Sequence, residues 1–453
     1  MAFSRRDFLR GSAALGGLAA LGPRAAGVNL PVPAPVGGLG LPANAPIDTI
    51  VVVMMENRSF DHYLGWLPGG TQSATYLDSA GQSHATRHWA PDYQGCGHPD
   101  PGHGWSSGRV QLGGEARDGS GFIKSGSGND DFALGYYQPT DIPVWAALTQ
   151  QATIFSQYYC ALLASTYPNR EYQHAATSGG RTSNDFPTDP IAGFGDETIW
   201  DRCNTRGVSW AYYYSNLPVI GLYGARLASL HADKIRHISN YYADALAGRL
   251  PQVCFVDPFF TAEGLANDDH PHADIRLGQQ FLSGVIRSFT ESPQWARGAM
   301  FINYDEWGGF FDTAVPAPAP DDDRKSAVLT QDFSQRGFRT PASVISPFAP
   351  RGSIGSQVYD HTSILRFIEW RYGLGTLTRR DATARNIGEV LDFTRPNYER
   401  EVVPAYVAPP EARIVCAGGG AAASDMVKLQ TSGLTEALRL RTDWKFADSY
   451  RTF

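Results

Sequence analysis

The apolar positions of this chain fall into short β-branched runs that stop abruptly at charge, and these runs alternate with stretches of helical spacing. Ile50-Val51-Val52-Val53-Met54-Met55 is unbroken and apolar, the pattern of a strand buried on both faces, and it ends at Glu56-Asn57-Arg58. Met300-Phe301-Ile302-Asn303-Tyr304 behaves the same way, running into Asp305-Glu306 and then Gly308-Gly309. Gly207–Tyr214, Pro251–Val256 and Ala342–Ile345 read as further strands, and Thr153–Leu163 as a core strand with flanking turns. Helical spacing marks Val144–Ala152, Pro168 through Ala176, Ile275–Phe289 and Ile364–Tyr372. Strands alternating with helices are the signature of an α/β fold.

In such folds chemistry collects at the carboxyl ends of strands. One strand followed by a polar turn would be unremarkable; two strands ending in acid are more informative. Glu56, Asn57, Asp305 and Glu306 together make an oxygen-rich set of the kind hard divalent cations choose, whereas zinc more often takes His or Cys. Pro168 suits the first turn of a helix, which puts Thr166 near a helix N-terminus, where free N–H groups favour a phosphate. A simple cap is compatible with that. Arg170, one turn on, is suited to a phosphate oxygen or to an ion pair. Asn267–Asp274 follows a strand and places His270 and His272 among acids, a pattern for acid–base or ligand work, while Asp269 and Asp274 are natural helix caps. His361 stands at the start of a helix, with Thr362 and Ser363 as caps. Pro68 to about Asp131 is dense in Gly, Ser, Asp and His and reads as loops over the active face; it carries His98 and His103. Gly104–Gly108 matches the G-x-S-x-G pattern around Ser106, but no strand precedes it, so the match is chance.

Composition narrows the classes. With 453 residues, 42% hydrophobic, the chain can bury a large core. A net charge of -7 with no long basic run argues against a nucleic-acid partner. The cysteines, Cys96, Cys160, Cys203, Cys254 and Cys416, form no CxxC pair; one or two disulfides fit them, with the pairing open, and the odd count leaves a free thiol. Ser4-Arg5-Arg6-Asp7-Phe8-Leu9-Arg10 and the apolar segment Ser12–Gly22 resemble a twin-arginine export signal over residues 1–27, which predicts a periplasmic, secreted or cell-surface protein. No later apolar run reaches the roughly 18 residues of a membrane helix. Residues 28–47 read as an extended linker, 48–415 as the catalytic domain, and 416–453 as a Gly/Ala linker with a mixed-charge tail.

Met54–Gly65 (MMENRSFDHYLG) resembles the signature of the bacterial phosphoesterase family, which holds phospholipases C and an acid phosphatase. Ser165–Tyr172 (STYPNREY), Asn303–Asp312 (NYDEWGGFFD) and Tyr359–Leu374 (YDHTSILRFIEWRYGL) match in the same order. The resemblance implies an alkaline phosphatase-like fold: a three-layer α/β/α sandwich with a mostly parallel central sheet. It implies a divalent metal on Glu56, Asn57, Asp305, Glu306 and Thr166, with Thr166 as nucleophile passing through a phospho-threonine. It implies acid–base and oxyanion roles for His103, His270 and His361; Arg170 and His272 are expected as substrate contacts from their charge and placement. The expected function is phospholipase C-like phosphodiester hydrolysis of lipid head groups. The alternatives are a broad acid phosphomonoesterase, a non-catalytic cation-binding periplasmic protein and a serine esterase using Ser106. Two departures stand out: Trp307 and Thr313 replace histidines of the family pattern, which bears on substrate class more than on reaction type.

Overall fold

The two apolar runs that end in acid lie side by side at the centre of one sheet. The computed structural model describes residues 32–33, 38–125, 130–260, 264–322, 332–416 and 436–437. The expected export signal, and the expected tail apart from Cys416, Glu436 and Ala437, fall outside the described residues. The sheet strands are β1 (Val32–Pro33), β2 (Thr49–Met55), β3 (Thr153–Phe155), β4 (Trp210–Tyr214), β5 (Ile235–His237), β6 (Val253–Val256), β7 (Gly298–Tyr304), β8 (Ala342–Ile345) and β9 (Ser353–Gly355). Their spatial order is β1-β9-β3-β8-β7-β2-β6-β4-β5. Every neighbouring pair is parallel except the two made by β8, which runs against β7 and β3. The principal helices are α1 (Phe60–Leu64), α2 (Trp105–Gln111), α3 (Pro143–Gln151), α4 (Thr166–Ala175), α5 (Ile199–Arg206), α6 (Ile238–Leu246), α7 (Ile275–Glu291) and α8 (His361–Tyr372).

Strand alternation divides the core in two. Ile50, Val52, Trp210, Tyr212, Phe255 and Phe301 face one side and pack with Ala175 of α4, Trp200 of α5 and Phe367 of α8. Val51, Val53, Met55, Tyr213, Val256 and Ile302 face the other and pack with Phe60 of α1, Trp145 of α3, Tyr241 of α6 and Phe281 of α7. The result is three layers, helices on both faces of a mostly parallel sheet, which explains why β2 and β7 are buried at every position and almost wholly apolar.

Several boundaries differ from the sequence reading. Only Thr153–Phe155 of the expected strand 153–163 joins the sheet; Tyr158–Tyr159 pairs instead with Tyr359–Asp360, and the chain beyond turns toward α4. α4 begins at Thr166, with Ser165 as N-cap. α8 begins at His361, capped by Asp360 with Ser363 closing a capping box, so Thr362 is not a cap. Asp274 caps α7 as expected. α5 escaped the reading, although Thr198 and Asp201 form a capping box at its start. The presumed linker supplies β1, paired with β9. Pro68–Asp131 contains α2 and the short antiparallel pair Thr75–Leu77 with Ser83–Ala85. Ser106 lies exposed on α2, not on a strand-to-helix elbow. Among the described residues no helix is long and apolar enough to cross a membrane.

Candidate active site

Register places the acids. Met55 of β2 pairs with Tyr304 of β7, and Val53 pairs with Val256 of β6. Glu56, Asp305 and Asp257 therefore leave three adjacent parallel strands at the same edge. The turn after β2 needs Asn57 in the left-handed region, φ 58°, where its N–H donates to Asp305 Oδ1 at 2.9 Å. Gly308 follows at φ 64°, and a Cβ there would lie 2.0 Å from the Asn57 carbonyl oxygen. A Cβ on Gly309, φ 71°, would lie 2.7 Å from the Gly102 carbonyl. The two glycines thus let the β7 loop press against the β2 turn and against the loop that carries His103.

Thr166 reaches the same edge from the first turn of α4. Its Oγ1 lies 3.4 Å from Glu56 Oε2 and 3.5 Å from Asn57 Oδ1. Asn169 fixes this approach: its side-chain NH2 donates to the carbonyls of Leu162, Ala164 and Ser165, while its Oδ1 accepts from Leu162 N at 2.8 Å. After β7, Asp305 Oδ2 and Glu306 Oε1 are buried and have no hydrogen-bond donor among the described residues. Burial, together with neighbouring carboxylates, holds both of these carboxyls above their ordinary range. Burial and Glu56 also push Asp268 up to about 7. Asp305 Oδ2 and Glu306 Oε1, buried without a donor, are free to bind a hard cation, but among the described residues they do not close with Glu56 to the mutual spacing of a single-ion site, as Asp100, His103 and His270 do.

Two histidines face this set. His103 Nδ1 donates to the Pro101 carbonyl at 2.8 Å, which leaves Nε2 directed at Asn57 Nδ2, 3.4 Å away, and at Glu306 Oε1, 3.9 Å away. His270 meets the His103 ring edge-on, with centroids 5.6 Å apart. Asp100 stands between them, 3.9 Å from His103 Nδ1 and 3.8 Å from His270 Nε2. Asp100, His103 and His270 are close enough to converge on one ion. Burial opposes charge on His270, but Asp100, Asp268 and Glu56 outweigh it and push its pKa up to about 9.

Three expected site residues are placed otherwise. Arg170, expected on a substrate oxygen, is fully buried and committed to the protein. It donates to Glu56 Oε1 from Nε at 2.8 Å, to Asp257 Oδ1 at 3.0 Å and to the Met54 carbonyl at 3.2 Å. His361, expected to handle protons, has no free nitrogen: Nε2 donates to the Asp305 carbonyl at 2.6 Å, while Nδ1 faces Tyr158 Oη and Asn303 Nδ2. Burial holds its pKa down to about 4, so it props the β7 terminus as a neutral ring. His272 Nε2 donates to the His98 carbonyl at 2.9 Å, so that nitrogen does not face substrate; His98 itself pairs with Asp130.

The two departures from the family pattern are also placed. Trp307 points away from the acids into an apolar cluster with Leu163 and Phe338, its Nε1 donating to Gln111 Oε1 at 2.7 Å. Thr313 donates from N to Asp61 Oδ2 at 2.8 Å, in a buried group where Arg339 pairs with Asp61 and Asp312. The sequence reading overlooked Asp100, Asp257 and Asp268. Asp257 was available by the rule that singled out Glu56 and Asp305, since it directly follows a strand.

The profile of the Phosphoesterase family matches residues 47–375. The chain is 32% identical over 374 residues to non-specific phospholipase C1 of Arabidopsis thaliana, covering 75% of this chain and 70% of that protein. It is 29% identical over 417 residues to phospholipase C B of Mycobacterium tuberculosis, covering 77% of this chain and 78% of that one. Among solved structures, a protein of the alkaline phosphatase superfamily from Vibrio parahaemolyticus aligns with a TM-score of 0.36 at 12% identity, over 82% of this chain and 74% of that one.

Proposed function

This chain belongs to the Phosphoesterase family, and from that premise we propose that it is an exported, metal-dependent, phospholipase C-like hydrolase of phosphodiesters. One observation carries the reading: the Thr166 hydroxyl approaches Glu56 and Asn57, the Asn57 N–H holds Asp305, and Asp305 Oδ2 and Glu306 Oε1 are buried without a hydrogen-bond donor among the described residues. The relatives named phospholipase C support the substrate class. A hard divalent cation bound by Glu56, Asn57, Asp305, Glu306 and Thr166 would lower the pKa of the hydroxyl and offset charge on the phosphoryl oxygens.

The remaining steps belong to the chain. Thr166 Oγ1 gives up its proton to solvent and attacks phosphorus in line, the bond to the leaving alcohol breaks, and a phospho-threonine forms at the head of α4, where backbone N–H groups favour its charge. His270, kept protonated by its carboxylate neighbours, gives its proton to the departing alkoxide. His103, with Nδ1 held by Pro101, presents Nε2 to take a proton from the water that attacks the phospho-threonine. Arg170 and His361 act as positioning residues, holding Glu56 and the Asp305 backbone.

The test is Thr166→Ala assayed on p-nitrophenyl phosphorylcholine and p-nitrophenyl phosphate, before and after chelation. The expected outcome is diesterase turnover in the parent protein, lost on chelation and restored by a divalent ion, and a fall of at least about a thousandfold in the variant. Retained turnover in Thr166→Ala removes the nucleophile assignment. Preference for the monoester moves the assignment to a phosphomonoesterase.

A further inference from the structure

A shallow hollow begins at the residue after the nucleophile. Tyr167, Phe186, Leu217, Pro218, Val219 and Leu222 line it, the lining is wholly apolar, and it encloses about 200 Å³ counting its open mouth. The Tyr167 and Phe186 rings meet edge to face, with centroids 5.5 Å apart. Tyr167 N donates to Asn184 Oδ1 at 2.9 Å, which anchors the Phe186 loop to the head of α4. The opposite wall is tied to the acids. Asn216 exchanges hydrogen bonds with the Phe260 backbone, Phe260 lies 4.7 Å beneath the Arg170 guanidinium, and Arg170 grips Glu56. The wall of the hollow is therefore braced, through buried contacts, against the residue that holds Glu56. Tyr167, Phe186 and Leu217 remain only half-buried there, an arrangement that favours an apolar occupant.

We propose that this hollow seats one short acyl chain of the substrate along its length, while the phosphate lies over Thr166. The proposal rests on the phospholipase C reading and adds to it the place where the lipid is held. A cationic head group is the poorer occupant, because the lining offers no carboxylate to accompany the aromatic rings.

The experiment compares the parent protein with Phe186→Asn and Leu217→Asn on soluble phosphatidylcholines of about four to eight acyl carbons, with p-nitrophenyl phosphorylcholine as the chainless control. The expected result is a kcat/KM that rises about threefold per added methylene in the parent. In both variants that slope falls by at least about half, while turnover of the chainless control stays within about twofold. A flat chain-length response in the parent, an unchanged slope in the variants, or an equal loss on both substrates overturns the proposal. Calorimetric binding of dihexanoyl phosphatidylcholine to Thr166→Ala, with and without Phe186→Asn, reads the hollow independently of turnover. About tenfold weaker binding in the double variant supports it, and equal binding overturns it. If the parent hydrolyses neither substrate, the phospholipase reading fails by itself and the calorimetric result alone decides the hollow.

Discussion

Arg170 lies between Glu56 and Asp257, two carboxylates on adjacent strands that would otherwise repel one another without water to screen them. Removing the guanidinium would strand both charges in the interior. Arg170→Leu is therefore expected to cost about 3–5 kcal/mol in urea unfolding, the range for breaking a buried pair, and to weaken metal retention along with kcat. A loss confined to KM at unchanged stability would mean that Arg170 contacts substrate after all. Charge pointed to Arg170 and the family resemblance to His361, but orientation decided their work. Both sit on helices whose burial could not be read from one chain, and both turned inward. Glu56, Asn57, Thr166 and Asp305 stood out because each ends or opens an element with a clear periodicity, whereas His103, in a loop, was offered by the family resemblance alone. Asp100 was not, because what matters is its position between two histidines that lie 167 residues apart in the chain.

At the scale of elements, the turn after β7 is the tightest joint in the site. Gly308 touches the backbone of the β2 turn, so a methyl group there must push Asn57 or Asp305 out of line. Gly308→Ala is expected to lower kcat on p-nitrophenyl phosphorylcholine by about a hundredfold, the typical cost of an ångström of misplacement, with far-UV circular dichroism unchanged. Turnover near that of the parent would show that the loop has room to yield. The strands β2, β4, β6, β7 and β8 were readable because unbroken apolar runs belong to sheets covered on both faces. α5 was harder, since its buried residues Ile199, Trp200 and Cys203 lie within five positions and are surrounded by polar ones. The run 153–163 misled because an apolar, aromatic stretch also suits a segment that bends through the interior, as it does here after Phe155.

For the molecule as a whole, the bond Cys96–Cys416 joins the loop region before His98 to the far end of the described catalytic domain. Such a bond persists in oxidising compartments, outside the cytoplasm. Replacing Arg5 and Arg6 by Lys is expected to keep the protein in the cytoplasm with both cysteines open to a thiol label, whereas the parent, recovered outside it, takes up label there only after reduction. Normal export of that variant would discard the twin-arginine route. Cys160, Cys203 and Cys254 are sealed in the interior, where burial keeps their thiols protonated, up to about 12 for Cys203, while Cys96 lies at the surface. Were the chain exported already folded, as we propose, the three interior thiols would be shielded from any oxidant met outside, leaving Cys96 and Cys416 to join.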